Sequence, residues 1–157
     1  MNTQNIDERE LNERVAILHR LRELLLQQRR KFQEYLTVLE KQENSIAGED
    51  MDKLLGHTEL EQKIIGNISE LQKVIKPMEA LYKAAYPDNK TDIPVLQADL
   101  SQLQTQVLLQ NEKNRNALRI HINTVRSKIS TMKNPYAKTR SVYAQSAQTA
   151  AAVNIQV

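Results

Sequence analysis

Cysteine and tryptophan are absent from the 157-residue chain, and phenylalanine occurs once, glycine three times and proline four times. Without cysteine there is no disulfide framework, no thiolate nucleophile and no cysteine-based zinc site, a pattern that suits a reducing compartment. So few glycines, prolines and aromatics leave too little turn chemistry for a sandwich, a barrel or repeated βαβ units. No run approaches the 18 or so consecutive apolar residues of a membrane span. The first residues, Asn2-Thr3-Gln4 with Asp7, Glu8 and Glu10 close behind, lack the basic start and apolar stretch of a signal peptide. The expectation is one all-helical domain in the cytoplasm, with no membrane insertion.

Three periodic segments account for most of the chain. Leu11, Val15, Leu18, Leu25, Phe32, Leu36 and Leu39 fall on one helix face, with Arg22 and Arg29 in the two missing heptad positions. A second stripe through Ile17, Leu21, Leu24, Tyr35 and Val38 widens that face enough to require two neighbouring helices. Asn5 with Glu8 resembles a capping box, and Ser45 to Gly48 reads as the stop, which predicts a helix near 6–45. Asp50 then predicts the cap of a second helix over 50–86, with its face at Leu54, Ile64, Ile68, Leu71, Ile75, Met78 and Tyr82 and a bend expected ahead of Pro77. Tyr86 to Thr91 is the clearest loop.

Asp92 and Pro94 predict the start of a third helix over 92–133. Its stripe runs Leu96, Leu100, Leu103, Val107, then polar Asn111 and Arg115, then Leu118, Ile122, Val125, Ile129 and Met132. The steps after Val107 read as an eleven-residue insert in a seven-residue pattern, with polar groups on the buried side. Three helices of similar length joined by short loops predict an antiparallel up-down-up bundle over 1–133. Residues 134–157, basic and then alanine-rich, cannot bury a core and read as a mobile tail.

The net charge of +3 conceals an asymmetry. Lys113, Arg115, Arg119, Arg126, Lys128, Lys133, Lys138 and Arg140 face only Glu112 after residue 109, while the earlier part of the chain is slightly acidic. Some of this charge complements the carboxyl end of the third helix dipole, and the rest suits an acidic partner surface. Tyr136 and Tyr143 lie where there is no core to serve, and read either as partner anchors or as rings folding back on the bundle. Leu118 through Met132 read most simply as core, and alternatively as a groove for an amphipathic client helix.

Catalytic signals are missing. His19, His57 and His121 are isolated, Glu23 beside His19 being the nearest carboxylate, and there is no phosphate-cradling glycine loop or nucleophile elbow. The reading is a non-enzyme with no cofactor and no metal. The basic segment contains no recognised nucleic-acid module, so no nucleic-acid partner is expected.

The segment Ala47-Gly48-Glu49-Asp50-Met51-Asp52-Lys53-Leu54-Leu55, followed by the seam Ile64, Ile68 and Leu71, resembles the second helix of FlgN-type flagellar export chaperones. The stretch Leu109-Gln110-Asn111-Glu112-Lys113-Asn114-Arg115-Asn116-Ala117-Leu118 resembles the asparagine-bearing third helix of the same family, and arrangement and length agree across roughly residues 10 to 135. Asn134-Pro135-Tyr136 and Arg140-Ser141-Val142-Tyr143 stand where members carry a tyrosine-containing extension. The resemblance implies a cytoplasmic chaperone, a monomer or weak homodimer, that holds terminal helices of hook-associated (hook-filament junction) proteins before type III export and meets export-gate or export ATPase components. On that reading the partner-binding residues are Leu118, Ile122, Val125, Ile129, Met132, Tyr136, Arg140 and Tyr143. The competing expectation is an oligomeric coiled-coil scaffold or adaptor with no export role.

Overall fold

The computed structural model describes residues 2–132, with side chains from residue 7. They form three helices, α1 (Asn2–Ala47), α2 (Met51–Ala85) and α3 (Ile93–Met132), with no strand among the described residues. The class is all-α, a three-helix bundle. Asn5 lies inside α1, upstream of which the helix already begins at Asn2. Tyr136, Arg140, Tyr143 and the tail expected over 134–157 lie outside the described residues. The chain divides into two units, Met1–Ala117 and Leu118–Val157.

In the first unit both α1 stripes turn inward from Leu21 onward, with Leu24, Leu25, Phe32, Tyr35, Val38 and Leu39 in the core and Leu36 half-buried against it. They meet Ile64, Ile75 and Tyr82 of α2 and Ile93, Leu100 and Val107 of α3. Leu11 and Val15 are more than half exposed, against expectation. The stagger between helices explains them. α1 and α2 run antiparallel, with Gln28 beside Gln72 and Tyr35 beside Glu61. At that register Arg14 already sits over the Tyr86 ring, 5.0 Å from its centroid, one residue past the end of α2. Leu11 therefore lies ahead of α2's last residue and Val15 level with it, where α2 offers only the small side chains of Ala84 and Ala85 beside the turn at Pro87.

The α1–α2 turn is built as the Gly-Asp pattern suggests, with one substitution of roles. Asp50 N–H donates to the Ser45 carbonyl at 2.9 Å and Glu49 N–H to Ile46 at 3.2 Å, the paired bonds of a Schellman stop. The left-handed residue is Glu49, at φ 55°, and not the adjacent Gly48. Asp50 then caps α2, its carboxylate accepting from Lys53 N–H at 3.1 Å. α2 runs unbroken through Pro77. In the second loop Asn89 is left-handed and accepts the Tyr82 hydroxyl at 2.9 Å. Tyr82 also meets the Thr91 hydroxyl, which accepts Ile93 N–H at 3.3 Å and satisfies a first-turn amide of α3. The Asp92 carboxylate, expected to cap α3, is instead turned toward Arg22.

That contact begins a ladder that sets the register of α3 on α1. Arg22 donates twice to Asp92, both bonds at 2.8 Å, Arg29 reaches Asp99 at 3.8 Å, and Glu43 takes Lys113 at 2.6 Å. Each pair is 70 residues apart in sequence, as the first pair shows, so α1 and α3 run parallel and Arg22 and Arg29 leave the apolar stripe because acids face them one heptad apart. Exposed ion pairs contribute only about 0.2–1 kcal/mol each. Their use is selective: a one-heptad slip sets Glu43 against Ile120 and loses the pairing.

Candidate partner-binding face

α3 buries Ile93, Leu100, Val107 and Asn114, four residues at steps of seven. Leu96 and Leu103 are half-buried between them, and Gln110 and Ala117 continue the alternation. The seam therefore keeps a plain heptad repeat through residue 117, and the eleven-residue insert expected around Asn111 and Arg115 is not used. Asn111 is only half-buried and Arg115 is exposed. The polar side chain that enters the core is Asn114, one helical turn from the first and adjacent to the second.

A connected set of polar groups surrounds it. Asn114 Nδ2 donates to the Leu39 carbonyl at 2.7 Å, and its Oδ1 accepts Gln110 Nε2 at 3.0 Å. Gln110 also donates to Glu43 at 2.6 Å, on the carboxylate that pairs with Lys113. On the other side the buried Gln42 donates to Glu61 of α2 at 2.5 Å, and Tyr35 O–H donates to the second oxygen of the same carboxylate at 3.0 Å. Burial first, and then that bond to Glu61, pushes the Tyr35 phenol up to about 12. Lys113 and Gln110 hold the Glu43 carboxyl below its ordinary value. The layer ties all three helices together with hydrogen-bond geometry that an apolar slip cannot reproduce.

Beyond the layer the apolar stripe goes on while burial stops. At the 70-residue offset of α3 on α1, Ala117 stands level with Ala47, the last residue of α1. In the second unit Leu118 is half-buried, and Ile122 (41%), Val125 (38%), Ile129 (51%) and Met132 (76%) are exposed. The reading of these residues as core is corrected: their periodicity is that of a buried face, yet from Ile122 to Met132 they are exposed, with none of the described residues of the second unit burying them. The structure brings five of the eight sequence-predicted partner residues onto one face within 15 residues, and the other three, Tyr136, Arg140 and Tyr143, fall outside the described residues. At 100° per residue Arg126 and Lys128 lie about 80° to either side of that face, and no acidic residue occurs from 118 to 132. His19 pairs with Glu23 at 3.5 Å, and among the described residues no three His, Cys, Asp or Glu side chains converge as a metal site would require. No helix of the described residues is long and apolar enough to cross a membrane.

Sequence reasoning missed Asn114 and the acidic partners of Arg22 and Arg29. The signal for the latter was present: Asp92 and Asp99 repeat the seven-residue spacing of the two arginines.

No protein-family model matches the chain, and no solved structure matches it. A protein of Treponema pallidum (strain Nichols), described only as uncharacterized, is 38% identical over 129 residues, which cover 82% of this chain and 83% of its own length.

Proposed function

This chain belongs to one family with the uncharacterized Treponema pallidum protein, and we propose that it is a cytoplasmic helix-holding chaperone of the FlgN type. Its client would be an amphipathic terminal helix of a hook-associated protein, held before type III export on the α3 face formed by Leu118, Ile122, Val125, Ile129 and Met132. The observation that carries the reading is that this face keeps core periodicity yet is exposed from Ile122 to Met132. A row of large apolar side chains at helical spacing, rimmed by polar residues, is the form in which one helix receives another. The work is binding, with no bond made or broken. A client helix that would self-associate through its apolar stripe is kept apart by burying that stripe here, at about 25 cal/mol per Å² of apolar area removed from water. Arg126 and Lys128 would pair with acidic residues flanking the client's stripe.

The polar layer supports the same reading. It ends the bundle core with hydrogen bonds at Asn114 and Gln110, so the apolar face beyond is set off from the core, and a client can occupy it without unpacking the residues before it. The test is co-elution of the full chain with a hook-associated protein encoded in the same genome, followed by titration calorimetry. Wild type is expected to form a complex of fixed stoichiometry, and Ile122→Asp and Ile129→Asp each to weaken it at least tenfold with helix content unchanged. A complex of unaltered affinity in both variants would remove the α3 face from the account.

A further inference from the structure

We propose that, without a client, the α3 face is covered by the amino-terminal turns of α1 from a second copy of this chain. Among the described residues two apolar stripes are exposed, and their chemistry is complementary. On α1, Leu11 is 57% and Val15 54% exposed, while Leu18, next on the same face, already packs against the core. Taking 100° per residue, Asp7 lies about 40° to one side of Leu11 and Glu8 about 60° to the other, with Glu10 further round. Asp7, Glu8 and Glu10 are all exposed. The basic residues of these turns are engaged within their own helix pair: Arg9 pairs with Glu13 at 3.7 Å, and Arg14 is stacked on Tyr86. This apolar stripe is therefore flanked by acid.

The α3 stripe from Leu118 to Met132 is flanked by base, with Arg126 on one side and Lys128 on the other. Two amphipathic helices with apolar seams and opposite flanking charges have the pattern that sets partner choice in coiled coils, where residues beside the seam pair across it. The α3 stripe from 118 to 132 measures about 20 Å at 1.5 Å per residue, long enough to span the exposed α1 positions Leu11 and Val15. Each copy offers one acidic and one basic stripe, so the contact closes as a reciprocal two-fold dimer when both pairs form at once, and extends head to tail as a chain when they do not. A client that binds the α3 face then competes with the second copy, and self-association reports whether the face is in use.

Sedimentation velocity of the full chain from micromolar to several hundred micromolar tests this. Wild type is expected to gain mass with concentration, and at least tenfold less readily in about 0.5 M than in 0.05 M salt, because both flanking rows lie at the surface. Asp7→Lys/Glu8→Lys/Glu10→Lys and Arg126→Glu/Lys128→Glu are each expected to lose self-association, and an equimolar mixture of the two to recover a mixed dimer. As the chain has no cysteine, Val15→Cys mixed with Ile129→Cys gives a second readout, expected to form a 15–129 disulfide under copper-phenanthroline oxidation. A chain that stays monomeric at every concentration, an acid-to-lysine variant that associates like wild type, or a cysteine mixture that gives no 15–129 link would overturn the inference. A monomer that still takes up a client helix would do so while leaving the proposed function standing.

Discussion

Replacing Asn114 by alanine tests the polar layer in isolation from the apolar core. The side chain is 4% exposed, donates to the Leu39 carbonyl at 2.7 Å and accepts from Gln110 at 3.0 Å. Two well-formed neutral hydrogen bonds are lost, each contributing about 1 kcal/mol, together with a long third one to Gln42 Oε1 at 3.5 Å. Gln110 keeps Glu43 at 2.6 Å and the Leu39 carbonyl sits inside α1, while the buried Gln42 oxygen gives up only that weak contact. Alanine also regains about 0.5 kcal/mol of helix propensity. The expected net loss is about 1.5 kcal/mol, a fall in Tm of about 5 °C for a chain of this size. Asn114→Leu should recover that stability by burying apolar surface, but it removes the group that fixes the register of α3. Thermal unfolding followed by circular dichroism reads the first effect. The second is read by the 22–92 pairing, since Arg22→Cys/Asp92→Cys should cross-link less readily in the leucine background. An Asn114→Ala protein as stable as wild type, or a leucine variant less stable than the alanine one, would refute the assignment of this layer.

Further outcomes follow from particular positions. Gly56 and Gly66 lie within α2 with open space where a Cβ would be, so Gly56→Ala and Gly66→Ala should each raise stability by about 1 kcal/mol in urea titrations. Glu49→Gly should also stabilise, by about 1 kcal/mol, because Glu49 holds the left-handed stop at φ 55°. The Arg22 guanidinium holds the Asp92 carboxyl below its ordinary 3.8, and Lys113 holds Glu43 below 4.5. For both, the folded value is the lower one, so their contribution is complete at neutral pH and is lost as pH falls through the folded values. Asp92→Asn with Glu43→Gln should flatten the fall of Tm between about pH 5 and pH 2. Deleting residues 134–157 should leave the helical circular dichroism signal nearly intact, and a truncated chain that unfolds would make that segment part of the core.

How far the fold could be read in advance depended on whether a single helix held the information. Periodicity located all three helices, and Asp50 was legible as a cap because its neighbours, Gly48 before and Asp52 after, point the same way. The stagger between helices is a property of pairs, and so Leu11 and Val15 looked buried when read along α1 alone. The same limit produced the error at Asn111 and Arg115. Between Val107 and Leu118 the chain has polar residues on every face, and apolar spacing cannot choose between a seam through 111 and 115 and one through 110 and 114. Burial of Asn114 is decided by what lies opposite, the Leu39 carbonyl and Gln42. The candidate face was legible as a stripe but not as an exposed one, since a buried and an exposed apolar stripe share one pattern along a single helix.

The central claim is that residues 118–132 of α3 form a face for an amphipathic helix, set off from the bundle by the Asn114 layer. Hydrogen–deuterium exchange of the full chain, with and without a saturating peptide spanning the terminal helix of a hook-associated protein, tests it most directly. The account predicts slowed exchange from Leu118 to Met132 and no change from Ile93 to Asn114. Protection confined to α1 and α2, or absent everywhere while the peptide is bound, would contradict it.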